Sequence, residues 1–157
     1  MARTVELSTQ LDCAADEAWD QIHRSALLQH IAFPLIKFVP RGATAFPERW
    51  EEGEYRAWML LLAVLPIGWQ AIVISKPEAK GAVRFLRDNG YGPLIKRWDH
   101  WIEIAPENAT TTRYVDRVTI EAGILTPVIA AFARVFYGHR QRRWRALAAS
   151  DFHALEK

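Results

Sequence analysis

Cysteine is nearly absent. Cys13 is the only one in 157 residues, which excludes an intramolecular disulfide and any cysteine-rich zinc site. An excess of one charge sign is missing too: twenty Lys and Arg against eighteen Asp and Glu leave a net +2, too little by itself to argue for a nucleic-acid partner. The first residues, Met1-Ala2-Arg3-Thr4-Val5-Glu6, hold no apolar stretch of the secretory kind, so the expected compartment is the cytoplasm. His23, His30, His100, His139 and His153 fall in no metal-ligand spacing, and neither a metal nor a cofactor is expected. Internal repeats, low-complexity runs and linkers are lacking, which predicts a single domain over residues 1–157. Long hydrophobic runs number one. Residues 57–75 are nineteen positions without a charge, long enough to cross a bilayer as a helix. Pro66-Ile67-Gly68 interrupts them, and Trp69-Gln70-Ala71-Ile72-Val73-Ile74 is rich in strand-forming residues. The segment therefore reads as an apolar hairpin turning at residues 66–68, with no stable membrane insertion.

What is present is a clear alternation of periods. Val5, Leu7, Thr9 and Leu11 alternate with Glu6, Ser8 and Gln10, the pattern of a half-buried strand. Asp12 or Cys13 is placed to cap a short helix with Asp16 and Glu17 in its first turn, and a second short helix over 25–31 ends before Pro34. Strands are predicted over 35–39, 55–64, 67–75, 82–87, 96–105 and 110–121, with Asp88-Asn89-Gly90 as a turn. Thr126-Pro127 marks the start of one long helix running to about Ser150, with Ile129, Phe132, Phe136 and Leu147 as its apolar stripe. This order predicts an α+β fold, an antiparallel sheet packed on a terminal helix.

Four segments in this order carry a resemblance. Asp16-Glu17-Ala18-Trp19 is typical of a first helix, and Gly92-Pro93 followed by Trp98-Asp99-His100 looks like a Gly-Pro…Trp-x-His stretch. Thr112-Arg113-Tyr114-Val115-Asp116-Arg117-Val118 and the helical Phe136-Tyr137-Gly138-His139-Arg140-Gln141-Arg142-Arg143-Trp144 complete the set. Together they resemble the START-like, or Bet v 1-like, helix-grip superfamily, including the polyketide cyclase/dehydrase-type SRPBCC proteins. The resemblance implies a curved sheet gripping the long helix around a cavity for an apolar small molecule. It does not imply one activity, because the superfamily holds carriers, cyclases, hydrolases and regulators. Seven Trp, seven Phe and four Tyr are generous for a small core and suit a pocket wall equally well.

Strand alternation sorts the polar residues. Trp98, His100, Ile102 and Ile104 share one face, and Tyr114, Asp116, Val118 and Ile120 share another; both are the less charged faces and should point inward. A register pairing these faces sets His100 across from Asp116 or Tyr114, and an adjacent carboxylate would raise the histidine's pKa. The pair is either an acid/base couple at the cavity wall or a buried polar pair that satisfies its own hydrogen bonds. On the long helix, Arg143 falls in the middle of the apolar stripe, with His139 and Arg140 beside it and Arg134, Arg142 and Arg145 opposite. An inward Arg143 needs Asp116 or an acidic ligand as partner; otherwise it overhangs the sheet into water.

The expected function is binding of a hydrophobic, optionally acidic, lipid-like or aromatic molecule, as carrier or sensor. Trp58 or Met59, Trp98, Tyr114, Phe132 and Phe136 would form the wall, with His100, Asp116 and Arg143 as polar anchors. The enzymatic alternative is a cyclase or dehydratase in which His100 and Asp116 move protons. The strand over 55–64 is apolar on both sides, for which a homodimer contact is one explanation.

Overall fold

The computed structural model describes residues 1–157. β1 (Arg3–Leu11) buries Val5 and Leu11 and exposes Glu6, Ser8 and Gln10, as alternation requires. Two short helices follow, α1 (Ala15–Ile22) and α2 (Ser25–Ala32), and then β2 (Ile36–Pro40). β3 (Gly53–Leu61), β4 (Leu65–Ser75), β5 (Arg84–Gly90), β6 (Arg97–Pro106) and β7 (Thr112–Glu121) form a meander that leads to the 24-residue α3 (Thr126–Ala149). The sheet has seven antiparallel strands in the order β1-β7-β6-β5-β4-β3-β2. α1 and α2 therefore carry the chain from one edge of the sheet to the other, and α3 packs mainly on β1, α2 and β7.

Helix ends depart from the predicted chemistry. Ala14 precedes α1, and neither Asp12 nor Cys13 caps it. Thr126 opens α3 from inside its first turn, where its Oγ1 accepts the Ala122 N–H and donates to the Gly123 carbonyl.

The apolar segment is the expected hairpin, and no helix of the chain is long and apolar enough to cross a membrane. Its turn lies elsewhere. Leu62 and Ala63 take left-handed φ of 51° and 63° at the tip, while Ile67 is the extra residue of a bulge between the Met59–Gly68 and Leu60–Pro66 pairs. Pro66 fits there because this end of β4 has no partner in β5 and needs no N–H on that side.

The Asp88-Asn89-Gly90 turn is likewise corrected, for these residues end β5. β4 and β5 pair only through Ile74–Asp88 and Ser75–Arg87, supplemented by an Ala71–Tyr91 bridge. Where that ladder ends, the Asp88 carboxylate accepts the Val73 N–H at 2.8 Å in place of a backbone carbonyl.

Candidate functional site

A cavity of about 290 Å³ lies between the sheet and α3, and 14 of its 18 lining residues are hydrophobic. Met59, Ile72, Phe132 and Phe136 make much of the wall. Leu94 and Val128, both well exposed, mark the mouth, whereas Gln70, Asp88, His100 and Arg140 line the interior. A second hollow of about 50 Å³ touches Asp88, His100 and Arg140 from the other side. The polar groups thus stand at the closed end of an apolar pocket.

Asp116 organises this end. Its Oδ1 accepts from His100 Nε2 at 2.7 Å and from the Tyr114 hydroxyl at 3.0 Å, and its Oδ2 accepts from Gln141 Nε2 at 2.9 Å. Gln141 also donates to the Leu7 carbonyl and so ties α3 to β1. Burial alone would raise the Asp116 pKa, but the bonds from His100 and Gln141 and the Arg140 field hold it below the usual carboxylate range. Burial lowers the His100 pKa against the pull of Asp116. The expected upward shift is therefore reversed: with the ring completely enclosed, desolvation outweighs the neighbouring charge. A neutral His100 bonded to an ionised carboxylate carries its proton on Nε2, which leaves Nδ1 as the unprotonated nitrogen. Around this pair, Trp98 Nε1 donates to the Tyr137 hydroxyl at 3.0 Å, and the Tyr137 ring lies 4.7 Å from the His100 ring.

Of the residues singled out from the sequence, Trp98, His100, Phe132 and Phe136 line the cavity. Tyr114 and Asp116 are fully buried behind His100, with Tyr114 packed on Trp144. Two residues are elsewhere. Trp58 is 44% exposed on the outer face beneath the Arg41 guanidinium, because Ala57 and Met59 take the inward positions of β3. Arg143 donates to the His30 carbonyl at 2.8 Å and contacts the His30 ring, outside the main cavity and away from Asp116.

Arg140 takes the position expected of Arg143. It is 5% exposed and lines both hollows, with its guanidinium carbon 5.0 Å from the Tyr137 ring centre. Its Nε finds no acceptor and no carboxylate forms an ion pair with it. Burial disfavours its charge, yet the fields of Asp116, Tyr114, Tyr137 and Asp88 outweigh that cost and hold it protonated. Asp88, partly buried in the cavity wall, has its pKa pushed by desolvation up to about 7. The helix pattern contained the signal for Arg140: Ala133, Tyr137, Arg140, Gln141, Trp144 and Ala148 recur at helical spacing and are all buried. Asp88 had no such signal, since Asp-Asn-Gly has the composition of a turn.

The comparisons with known proteins agree with this architecture. A START superfamily protein from Mycobacterium smegmatis superposes with a TM-score of 0.65 at 12% identity, covering 94% of this chain and 97% of that one. A conserved protein from Geobacillus kaustophilus gives 0.63 at 15%, covering 96% and 98%. A point mutant of norcoclaurine synthase from Thalictrum flavum, in complex with a transition-state analogue, gives 0.65 at 10%, covering 96% of each chain. At these identities the similarity concerns the fold, which is START/Bet v 1-like, a helix grip. No curated protein matches in sequence. Residues 9–148, from the end of β1 to the last turn of α3, match the family model described as "Domain of unknown function (DUF8410)", and the chain belongs to that family.

Proposed function

We propose that this protein binds a hydrophobic small molecule between the sheet and α3, as a carrier or sensor. The observation that carries this is the 290 Å³ cavity, with 14 hydrophobic lining residues and a few buried polar groups at one end. That is the composition of a site that draws in an apolar body and orients it through a few contacts. In this reading the protein is cytoplasmic and acts as a single domain over residues 1–157. It needs no cofactor, nucleic acid or membrane insertion. Native mass spectrometry of freshly purified protein, followed by organic extraction, tests it. A discrete adduct that identifies an apolar compound is the expected result. A clean apo mass, together with no displacement of a neutral fluorescent probe by any apolar compound, would overturn it.

A second reading is a cyclase or dehydratase. It is supported by His100, which lines the cavity while Asp116 holds its Nε2 and leaves Nδ1 able to take a proton. His100→Gln keeps a donor toward Asp116 but has no titrating nitrogen. Loss of turnover of the bound compound, with binding and Tm preserved, is the result expected for an enzyme. An unaltered compound in both proteins is the result expected for a carrier.

A further inference from the structure

Arg140 is the only arginine or lysine buried in the interior, and it stands at the closed end of the cavity with its Nε unbonded. A guanidinium is rarely removed from water without a bonded anion. Asp116 supplies field but no bond, because its oxygens already serve His100, Tyr114 and Gln141. A second side chain at the same end is also incomplete: the Gln70 Oε1 is buried without a donor. Rotated about its last bond, the same amide would offer N–H groups to an acceptor. We propose that Arg140 is the head-group anchor of the ligand site. It binds the carboxylate of a short amphipathic acid whose apolar tail runs along Phe136, Phe132 and Met59 toward Leu94 and Val128. This rests on the binding function proposed above and names its ligand class.

The charges select a monoanion. Arg140 is faced by Asp88 from β5, His100 from β6, and Tyr114 and Asp116 from β7, with Tyr137 on its own helix; β4 and α2 present the uncharged Gln70 and Leu28. Arg140 is the only cation here and Asp116 is already an anion, so each added negative charge is costly: a monoanion bonded directly to Arg140 is accepted best while Asp88 is protonated, and a dianion is repelled. With the Asp88 pKa at about 7, binding of the acid should strengthen as pH falls through that value. The cavity's 290 Å³ suits about ten non-hydrogen atoms, counted at the volume of a water each.

Octanoate and octanol share that size and differ at the head group. Titrating each into the ¹⁵N-labelled full chain at pH 6 and pH 8, followed by NMR, separates the two proposals. Both ligands should shift the Ile72 and Phe132 resonances, with octanoate at least tenfold tighter than octanol at pH 6 and its advantage reduced at pH 8. Arg140→Met should abolish the preference and leave octanol within twofold. Asp88→Asn should carry the pH 6 preference unchanged to pH 8, which serves as the second variant if Arg140→Met does not fold. Equal affinities for the two ligands in the wild type, or a preference that survives Arg140→Met, would overturn the carboxylate anchor and leave the cavity intact. Failure of both ligands to move cavity resonances would instead overturn the binding function, and the anchor with it.

Discussion

His100 on β6 donates to Asp116 on β7 across 2.7 Å, although the two are not partners in the ladder: His100 stands opposite Val118, and Asp116 opposite Ile102. The contact is diagonal. Such neighbours are close enough for a long side chain to bridge, which leaves Asp116 free to receive Tyr114 and Gln141 as well.

That network makes Asp116→Asn a stability variant. An amide in its place turns N–H groups toward groups that themselves donate, and the buried acceptor charge is lost. Unfolding free energy should fall by about 3 kcal/mol, the scale for breaking a buried ionic hydrogen-bond set. Denaturant titration at pH 7 measures it, and a loss below about 1 kcal/mol would mean that the network contributes little.

Asp88 makes stability depend on pH with a definite sign. Its folded pKa of about 7 lies above the ordinary 3.8, so the folded state holds the proton more tightly than the unfolded state. Its contribution is fully present below pH 4 and is lost as pH rises to about 7. Asp88→Asn removes this dependence and retains an acceptor for Val73. Its advantage over wild type should therefore grow by a few kcal/mol between pH 4 and pH 7, at about 1.4 kcal/mol per pH unit. Melts of both proteins across that range decide the matter; a constant difference between them would contradict the raised pKa of this carboxyl.

Met59 on β3 offers a way to fill the cavity. Met59→Trp places a bulky indole in existing space, so Tm should hold or rise while retention of apolar compounds drops at least tenfold. Unchanged retention, measured by extraction and by probe displacement, would locate the compound elsewhere.

The hairpin tip carries backbone strain that glycine relieves. Ala63 has φ 63°, a left-handed conformation that costs a residue with a Cβ roughly 1–2 kcal/mol. Ala63→Gly should stabilise by about 1 kcal/mol, less the greater freedom of glycine in the unfolded chain. Thermal melts of the pair should show a higher Tm for the variant.

The sequence by itself determined the order of elements, the hairpin from the uncharged segment and the inward faces of β6 and β7. A period of two leaves a strand residue only two directions, and the charged alternates Arg97, Glu103, Arg113 and Arg117 excluded one of them. His100 and Asp116 were legible for that reason. Tertiary structure decided what periodicity leaves open. α3 has aromatic and basic residues around most of its circumference, so its apolar stripe is weak, and its rotation is set by packing on β1 and α2. The His30 carbonyl near the end of α2 captures Arg143, and the turn of the helix that brings this about sends Arg140 into the cavity. Asp88 entered the interior because the β4–β5 ladder stops beside it and the Val73 N–H takes its carboxylate, a long-range event that a local Asp-Asn-Gly composition cannot encode.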